Sequence, residues 1–205
     1  MERLTVIDLF SGLGGFSKAF EDRGHNVITV DIEERFNPDI CGDIMALDTS
    51  SFPFPDVILA SPPCEKFSVA AISRNWEAIG SERCPRNLDT IMALGYVAKA
   101  LWLINQLKPK YWVLENPMGM LRKVVGPPTI HTFFASWGDK AKKPTDLWGR
   151  FPEMEWPKPK DWEKAPRGSK RGTQGKKGSA ERAMIPYKLS EALCLGIERE
   201  LNGHE

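Results

Sequence analysis

The chain has 205 residues, 41% of them apolar, and a formal net charge of +1; this is enough to bury a core in one large domain, or in one domain with a small appended lobe. Its four cysteines, Cys41, Cys64, Cys84 and Cys194, form no CxxC and no Cys/His ligand spacing, which argues against a metal site or a disulfide scaffold and for a reducing compartment. The start MERLTVIDLF has no basic stretch ahead of a long apolar run, and no window reaches the length of a membrane span, so a cytoplasmic protein without membrane association is expected.

In chain order, LTVIDLF is an apolar, strand-like run, and SGLGG follows it directly before FSKAFEDRG, which has helical spacing and a terminal glycine. This predicts the opening of a βαβ unit. NVITVD predicts a second strand ending in Asp31, DVILA another ending just before Ser61, and YWVLEN another ending at Glu115. From Leu88 to Leu107 the apolar residues Ile91, Leu94, Val97, Ala98, Leu101 and Ile104 fall at helical intervals. The alternation predicts an α/β fold, a Rossmann-like doubly wound and mostly parallel sheet with helices on both faces.

After Pro117 the regularity fades. Residues 126 to 167 carry many prolines and four tryptophans (Trp137, Trp148, Trp156, Trp162), followed by the glycine-punctuated RGSKRGTQGKKGS, expected to be mobile. IPYKLSEALCLGIEREL restores a helical period through Ile185, Leu189, Leu193, Ile197 and Leu201. Residues 1–125 and 183–205 therefore read as one domain, and 126–182 as a small irregular Trp/Pro-rich lobe. Charge is uneven along the chain: from Lys158 to Arg182 nine Lys/Arg stand against three acids, while the rest holds 19 basic and 24 acidic residues. That asymmetry points to a polyanion contact, or to a solvated surface loop.

In an open parallel sheet, ligands bind at the carboxyl ends of the strands. FSGLGG, Phe10 to Gly15, ends the first strand there, and its glycines let a ligand approach the backbone. Asp31 is placed to accept hydrogen bonds from ribose hydroxyls. Asp43 in CGDI can serve a base edge or cap a turn. The turn lacks the GxGxxG spacing of a dinucleotide site and the chain has no P-loop, which favours an adenosyl ligand without phosphates. Phe10 would pack on that ligand or belong to the core. In ASPPCEKFS, Ala60 to Ser68, two prolines fix the backbone ahead of Cys64. They make either a stiff turn with a buried thiol or a thiol aimed into a site.

DLFSGLGGF, Val30-Asp31, GDI at 42–44, DVILASPPCEKFS and WVLENP, taken in this order, resemble the successive motifs of the C5-cytosine methyltransferases. The resemblance covers roughly residues 4 to 120. It implies the S-adenosylmethionine-dependent methyltransferase fold, cytosine in DNA as acceptor, and S-adenosyl-L-methionine held by Phe10, Ser11, Gly12, Gly14, Gly15, Asp31, Ile32, Asp43, Ile44 and Pro62. Carbon 5 of cytosine is too electron-poor to take a sulfonium methyl until a nucleophile adds at carbon 6, which a thiolate does well. The resemblance gives that role to Cys64; Glu115 binds the exocyclic amine and ring nitrogen 3, and Asn116 holds the loop geometry. The closing helix resembles the family's last element, which packs beside the cofactor loop.

The chain departs from the family pattern in several places. Glu65 stands where the family usually has Gln, and Pro117 where it has Val. The Gln-x-Arg-x-Arg element is missing, and AKKPTDLWGR stands in its place, with Lys143 or Arg150 as the cation for the base carbonyl and Thr145 and Asp146 read as turn caps. Only residues 151 to 182 remain for target recognition, with Arg167, Lys170, Arg171, Lys176 and Lys177 suited to DNA phosphates. The tryptophans are expected to build a small hydrophobic lobe or to stack on a base, and a protein partner for target recognition fits so short a region. Alternatives are the same chemistry on tRNA or a free cytosine nucleotide, methylation of exocyclic amines, which SPP resembles but which needs an aromatic residue at Cys64, and a non-catalytic adenosyl-binding subunit.

Overall fold

The structure, a computed structural model, describes residues 2–140, 142–157 and 178–203. Seven strands form one sheet: β1 (Thr5–Leu9), β2 (Asn26–Asp31), β3 (Ile40–Cys41), β4 (Val57–Ala60), β7 (Tyr111–Pro117), β8 (Ile130–Phe133) and β9 (Pro144–Arg150), in the order β3-β2-β1-β4-β7-β9-β8. The first five are parallel, whereas β9 runs antiparallel to both β7 and β8. β5 (Trp76–Ile79) and β6 (Glu82–Pro85) make a separate hairpin, which the sequence pattern does not announce.

The sheet is Rossmann-like because its central strands are apolar on both faces and each face is covered. All four residues of β4 are buried. On one face Val6, Val57 and Leu59 pack with α1 (Lys18–Asp22) and α6 (Tyr187–Asn202) through Phe16, Phe20, Leu189, Leu193 and Ile197. On the other, Ile7, Leu9 and Ile58 meet Ala100, Leu103 and Leu107 of α3 (Leu88–Leu107), whose span matches its apolar spacing. Asn87 caps α3 by accepting the Thr90 amide at 2.9 Å, and Lys108, at φ +50°, ends it. α6 is fastened to the first turn by Ser190, whose Oγ donates to the Phe16 carbonyl at 2.5 Å and accepts the Ala19 amide at 3.2 Å. Among the described residues there are also three short α-helices, α2 (Ile72–Asn75), α4 (Leu121–Val124) and α5 (Gly178–Ala183). Among the described residues no helix is long and apolar enough to cross a membrane.

The boundary expected at residue 126 is corrected. Residues 130–150 belong to the main sheet as β8 and β9, and Thr145 and Asp146 lie within β9 where turn caps were expected. Pro144 opens β9, a position where a missing amide donor is tolerated. The polar pair after it can be buried because each side chain finds partners: Thr145 on Glu115, Asp146 on Arg122 and His131. The tryptophans do not gather in one lobe. Trp148 packs with Phe67, Trp76 and Leu114. Trp137 joins the α6 side, with Trp156 edge-on at 5.7 Å. Trp162, Arg167, Lys170, Arg171, Lys176 and Lys177 lie outside the described residues.

Candidate active site

A cavity of about 290 Å³ opens at the carboxyl ends of β1, β2, β3, β4 and β7. Phe10, Ser11, Gly12, Gly15, Asp31, Ile32, Asp43, Ile44 and Pro62 line it, together with Cys64, Glu115 and Lys143. Gly14 stays in the turn behind the wall, at φ +72°, its amide on the Ser11 carbonyl at 2.8 Å. Gly15 is needed for close approach, since a Cβ there would stand 2.7 Å from the Ile185 carbonyl oxygen. Through that contact Ala180, Ala183, Met184 and Ile185 close the cavity; Ile185 opens the segment read as the family's last element beside the cofactor loop, while residues 180–184 carry no motif. Tyr96 of α3, half-buried against the core, also lines it and meets Phe10 edge-on at 6.4 Å.

The wall is strained where it turns. Phe10 holds φ +62°, rare for a bulky residue, and Ser61 Oγ donates to its carbonyl at 3.2 Å. Asp31 braces the same turn, Oδ2 accepting the Gly12 amide at 2.8 Å and Oδ1 the Glu33 amide at 2.9 Å. A carboxylate offers about four lone-pair sites, so two remain for a pair of hydroxyls. Asp43, which also lines the cavity, uses Oδ1 to cap the turn at Met45, at 2.9 Å. With Phe10, Ile32 and Ile44 as apolar walls, the residues present fit an adenosyl group: acceptors for ribose hydroxyls and an amine, and flat apolar surface between them.

At the other end of the cavity stand the reactive groups. Cys64 is half-buried. Asn116, wholly buried, donates from Nδ2 to the Pro62 carbonyl at 3.0 Å, which holds the two-proline loop from β7. Burial pushes the Cys64 thiol above its ordinary range; the positive charge of Lys143 opposes this, and Glu115 and Glu65 reinforce it. Glu115 is buried, its Oε1 accepting from Thr145 Oγ1 at 2.6 Å, with Lys143 Nζ 3.6 Å away. Lys143 reaches this place from a backbone at φ +25°, its ammonium 4.0 Å above the Phe134 ring. Arg150 is not brought here. It pairs with Trp112 at the opposite end of β7, five positions along the ladder from Pro117–Thr145, or about 16 Å at strand spacing.

Besides Asp146, further buried titratable groups lie outside the cavity. His25, Cys194 and Glu198 hold ligand-type atoms within 4.8 Å of one another. The His25 Nδ1 accepts the Leu4 amide, so its Nε2 carries the proton and donates to Glu198, which Arg23 also pairs. That arrangement suits a lock between the α1–β2 turn and α6 and leaves no ring nitrogen free for a metal. Asp8, fully buried on β1, accepts from Ser17 Oγ at 2.7 Å, while its Oδ1 has no hydrogen-bond partner among the described residues. Burial pushes its carboxyl up to about 7.

A thiol, a carboxyl group and an ammonium thus meet at one end of the cavity, and the chain is similar to several known methyltransferases. The type II methyltransferase M.NgoBI of Neisseria gonorrhoeae is 38% identical over 121 residues, 54% of this chain and 34% of its own. A probable DNA (cytosine-5)-methyltransferase of Frog virus 3 is 28% identical over 152 residues, 71% of this chain and 70% of its own. The type II methyltransferase M.BsuFI of Bacillus subtilis is 30% identical over 128 residues, and the match spans 28% of its length. The chain thus spans only about a third of the bacterial relatives it matches. Among solved structures, the Entamoeba histolytica methyltransferase EhMeth superposes with a TM-score of 0.49 at 16% identity, covering 78% of this chain and 58% of that one. The model of the family described as C-5 cytosine-specific DNA methylase matches residues 4–134, more than half of the chain, and the chain belongs to that family.

Proposed function

We propose that the protein transfers a methyl group to carbon 5 of cytosine in DNA through a covalent Cys64 adduct at carbon 6. The observation that carries this reading is the meeting of Cys64, Glu115 and Lys143 at one end of the cavity that Phe10, Asp31 and Asp43 line at the other. S-adenosyl-L-methionine, held by those three residues and the Ser11–Gly15 turn, supplies an electrophilic methyl group.

The Cys64 thiolate adds to carbon 6, and the ring electrons shift to carbon 5, giving it the enamine character needed for alkylation. Glu115 binds the exocyclic amine and shares a proton with ring nitrogen 3, so charge does not build up on the ring. Lys143, beside Glu115, is the cation for the base carbonyl. After transfer a base removes the proton from carbon 5, the carbon–sulfur bond breaks, and Cys64 departs as thiolate. The target base must leave the helix stack to reach a half-buried thiol, at a cost of a few kcal/mol.

Duplex DNA carrying 5-fluorocytosine tests the reading, because its carbon 5 substituent cannot be removed as a proton. With cofactor it is expected to trap a denaturation-resistant adduct on the wild type and none on Cys64→Ala. Adduct on that variant would place the nucleophile elsewhere. RNA and free cytosine nucleotide, run in parallel, are expected to give none.

A further inference from the structure

We propose that the exit of β7 is a clamp that holds the Cys64 loop in its working conformation, with Gly119 as a positioning residue and Trp76 as a second holding point. The inference rests on Cys64 being the nucleophile. Two consecutive carbonyls just after Cys64 are captured. The Trp76 indole Nε1 donates to the Lys66 carbonyl at 2.7 Å, and the Met120 amide donates to the Phe67 carbonyl at 2.7 Å. Gly119 and Ser68 form an antiparallel bridge beside them.

Only glycine permits this contact. A Cβ at residue 119 would lie 2.0 Å from the Phe67 carbonyl oxygen and 3.0 Å from its carbon. Those are backbone atoms, which cannot rotate away as a side chain can. The displacement would reach the nucleophile directly, because the Phe67 and Ser68 amides both donate to the Cys64 carbonyl, at 3.0 and 3.2 Å. The Phe67 ring, fully buried with Trp76, Leu114, Met120 and Trp148, makes the loop's position a property of the core.

The clamp also sets one reacting group against the other. Glu115, Asn116 and the clamp follow one another on a single stretch of chain, so the strand that carries the carboxyl group also fixes the thiol, before it through Asn116 on Pro62 and after it through Met120 on Phe67. Fixing both partners from one strand keeps them in near-attack geometry, and small misplacements there reduce rate far more than binding.

Gly119→Ala and Trp76→Phe test the clamp, the second keeping the ring while removing the indole donor. Gly119→Ala is expected to bind S-adenosylhomocysteine and DNA within about twofold of wild type, yet form the 5-fluorocytosine adduct at least about tenfold more slowly at saturating DNA. In the unliganded protein its Cys64 is expected to react with iodoacetamide about threefold faster or more, because a loosened loop exposes a thiol that burial now suppresses. Slower catalysis with a more reactive thiol is a pattern that general destabilisation of the cofactor site does not produce. Trp76→Phe is expected to show the same pair of changes at smaller amplitude, and decides the matter if Gly119→Ala does not fold. Wild-type rates of both reactions in the folded variants would overturn the clamp. If wild type itself forms no adduct, the proposed function fails, and the iodoacetamide rates alone still decide whether residues 76 and 119 hold the loop.

Discussion

The Thr145 hydroxyl donates to Oε1 of Glu115 at 2.6 Å, from the strand that runs antiparallel beside it. Thr145 occupies one oxygen of the buried Glu115 carboxyl group. Lys143 approaches the same Oε1 from the loop before β9. The carboxyl group is thus oriented by a hydroxyl and an ammonium.

Thr145→Val keeps the shape and removes the donor to a buried carboxyl group. A hydrogen bond to a charged group contributes about 1.5–3 kcal/mol, so kcat is expected to fall about 10- to 100-fold, with the fold intact. Thr145→Ser should recover most of the rate. Single-turnover methyl transfer measures both, and full activity in the valine variant would remove Thr145 from the site.

Cys64 alkylation in the unliganded protein is expected to rise with pH and to go on rising beyond the range of an ordinary thiol, because burial holds the thiol in its protonated form. Lys143→Ala removes the cation that opposes this, so the profile should move to still higher pH. Iodoacetamide rates from about pH 7 to about pH 10, which bracket an ordinary thiol, give the comparison. A profile that moves to lower pH would mean that Lys143 does not act on the thiol.

Asp31→Ala is expected to weaken S-adenosylhomocysteine binding by about 1.5–3 kcal/mol for each charge-assisted hydrogen bond removed. It should also lower the melting temperature, since the Gly12 and Glu33 amides are left without their acceptor. Calorimetry and thermal unfolding separate the two effects. A lower melting temperature with unchanged affinity would make Asp31 a brace for the turn and nothing more.

Asp8 makes stability depend on pH. Its carboxyl is pushed from the usual 3.8 up to about 7 by burial, so between those values the folded state holds a proton that the unfolded state has released. The stabilisation is present in full below about pH 4 and is lost as pH rises to about 7, by at most about 4 kcal/mol. Asp8→Asn should therefore be closest to wild type in stability at about pH 4 and gain on it towards about pH 7. Urea unfolding across that range checks the sign.

The basic segment of residues 158–177 lies outside the described residues, and its composition supports binding to phosphates. Replacing Lys170, Arg171, Lys176 and Lys177 with Ala should lower the slope of log affinity against log salt by roughly 0.9 for each phosphate no longer neutralised. Wild-type modification should follow a context of about one to three bases, since each specified base needs a rigid pairing worth about 1–3 kcal/mol. Bisulfite sequencing that reveals a strict context of about four or more bases would contradict this.

The parallel half of the fold was legible because its strands are apolar runs and α3 repeats apolar residues at helical intervals, although of the stripe expected there only Val97 and Ile104 are buried, Ile91 and Ala98 are exposed, and Thr90, Ala93, Ala100, Leu103 and Leu107 complete the inner face. β9 was not, because PTDLWGR opens with proline and places Thr145 and Asp146 in the interior; only the partners Glu115, Arg122 and His131, distant in sequence, make that burial tolerable. The same strand separates the two proposed cations. Lys143 and Arg150 are equivalent as sequence, but Lys143, just before β9, stands 3.6 Å from Glu115, and the antiparallel register sets Arg150 opposite Trp112. Cys64, Glu115 and Asn116 were readable from local motifs. Gly119 was not, since the atom that excludes a side chain belongs to Phe67, fifty-two positions earlier.

Gly15 meets Ile185 at a distance that leaves no room for a methyl group. During synthesis the glycine turn leaves the ribosome early, while residues 180–185, which wall the same cavity, follow some 165 residues later, roughly 8 to 33 s at typical elongation rates. Until then the nascent sheet offers a turn without its opposite wall. Cofactor retention should therefore be negligible in any product interrupted before Ile185, however well its first strands have formed, and binding of the small molecule would report that translation has passed that point.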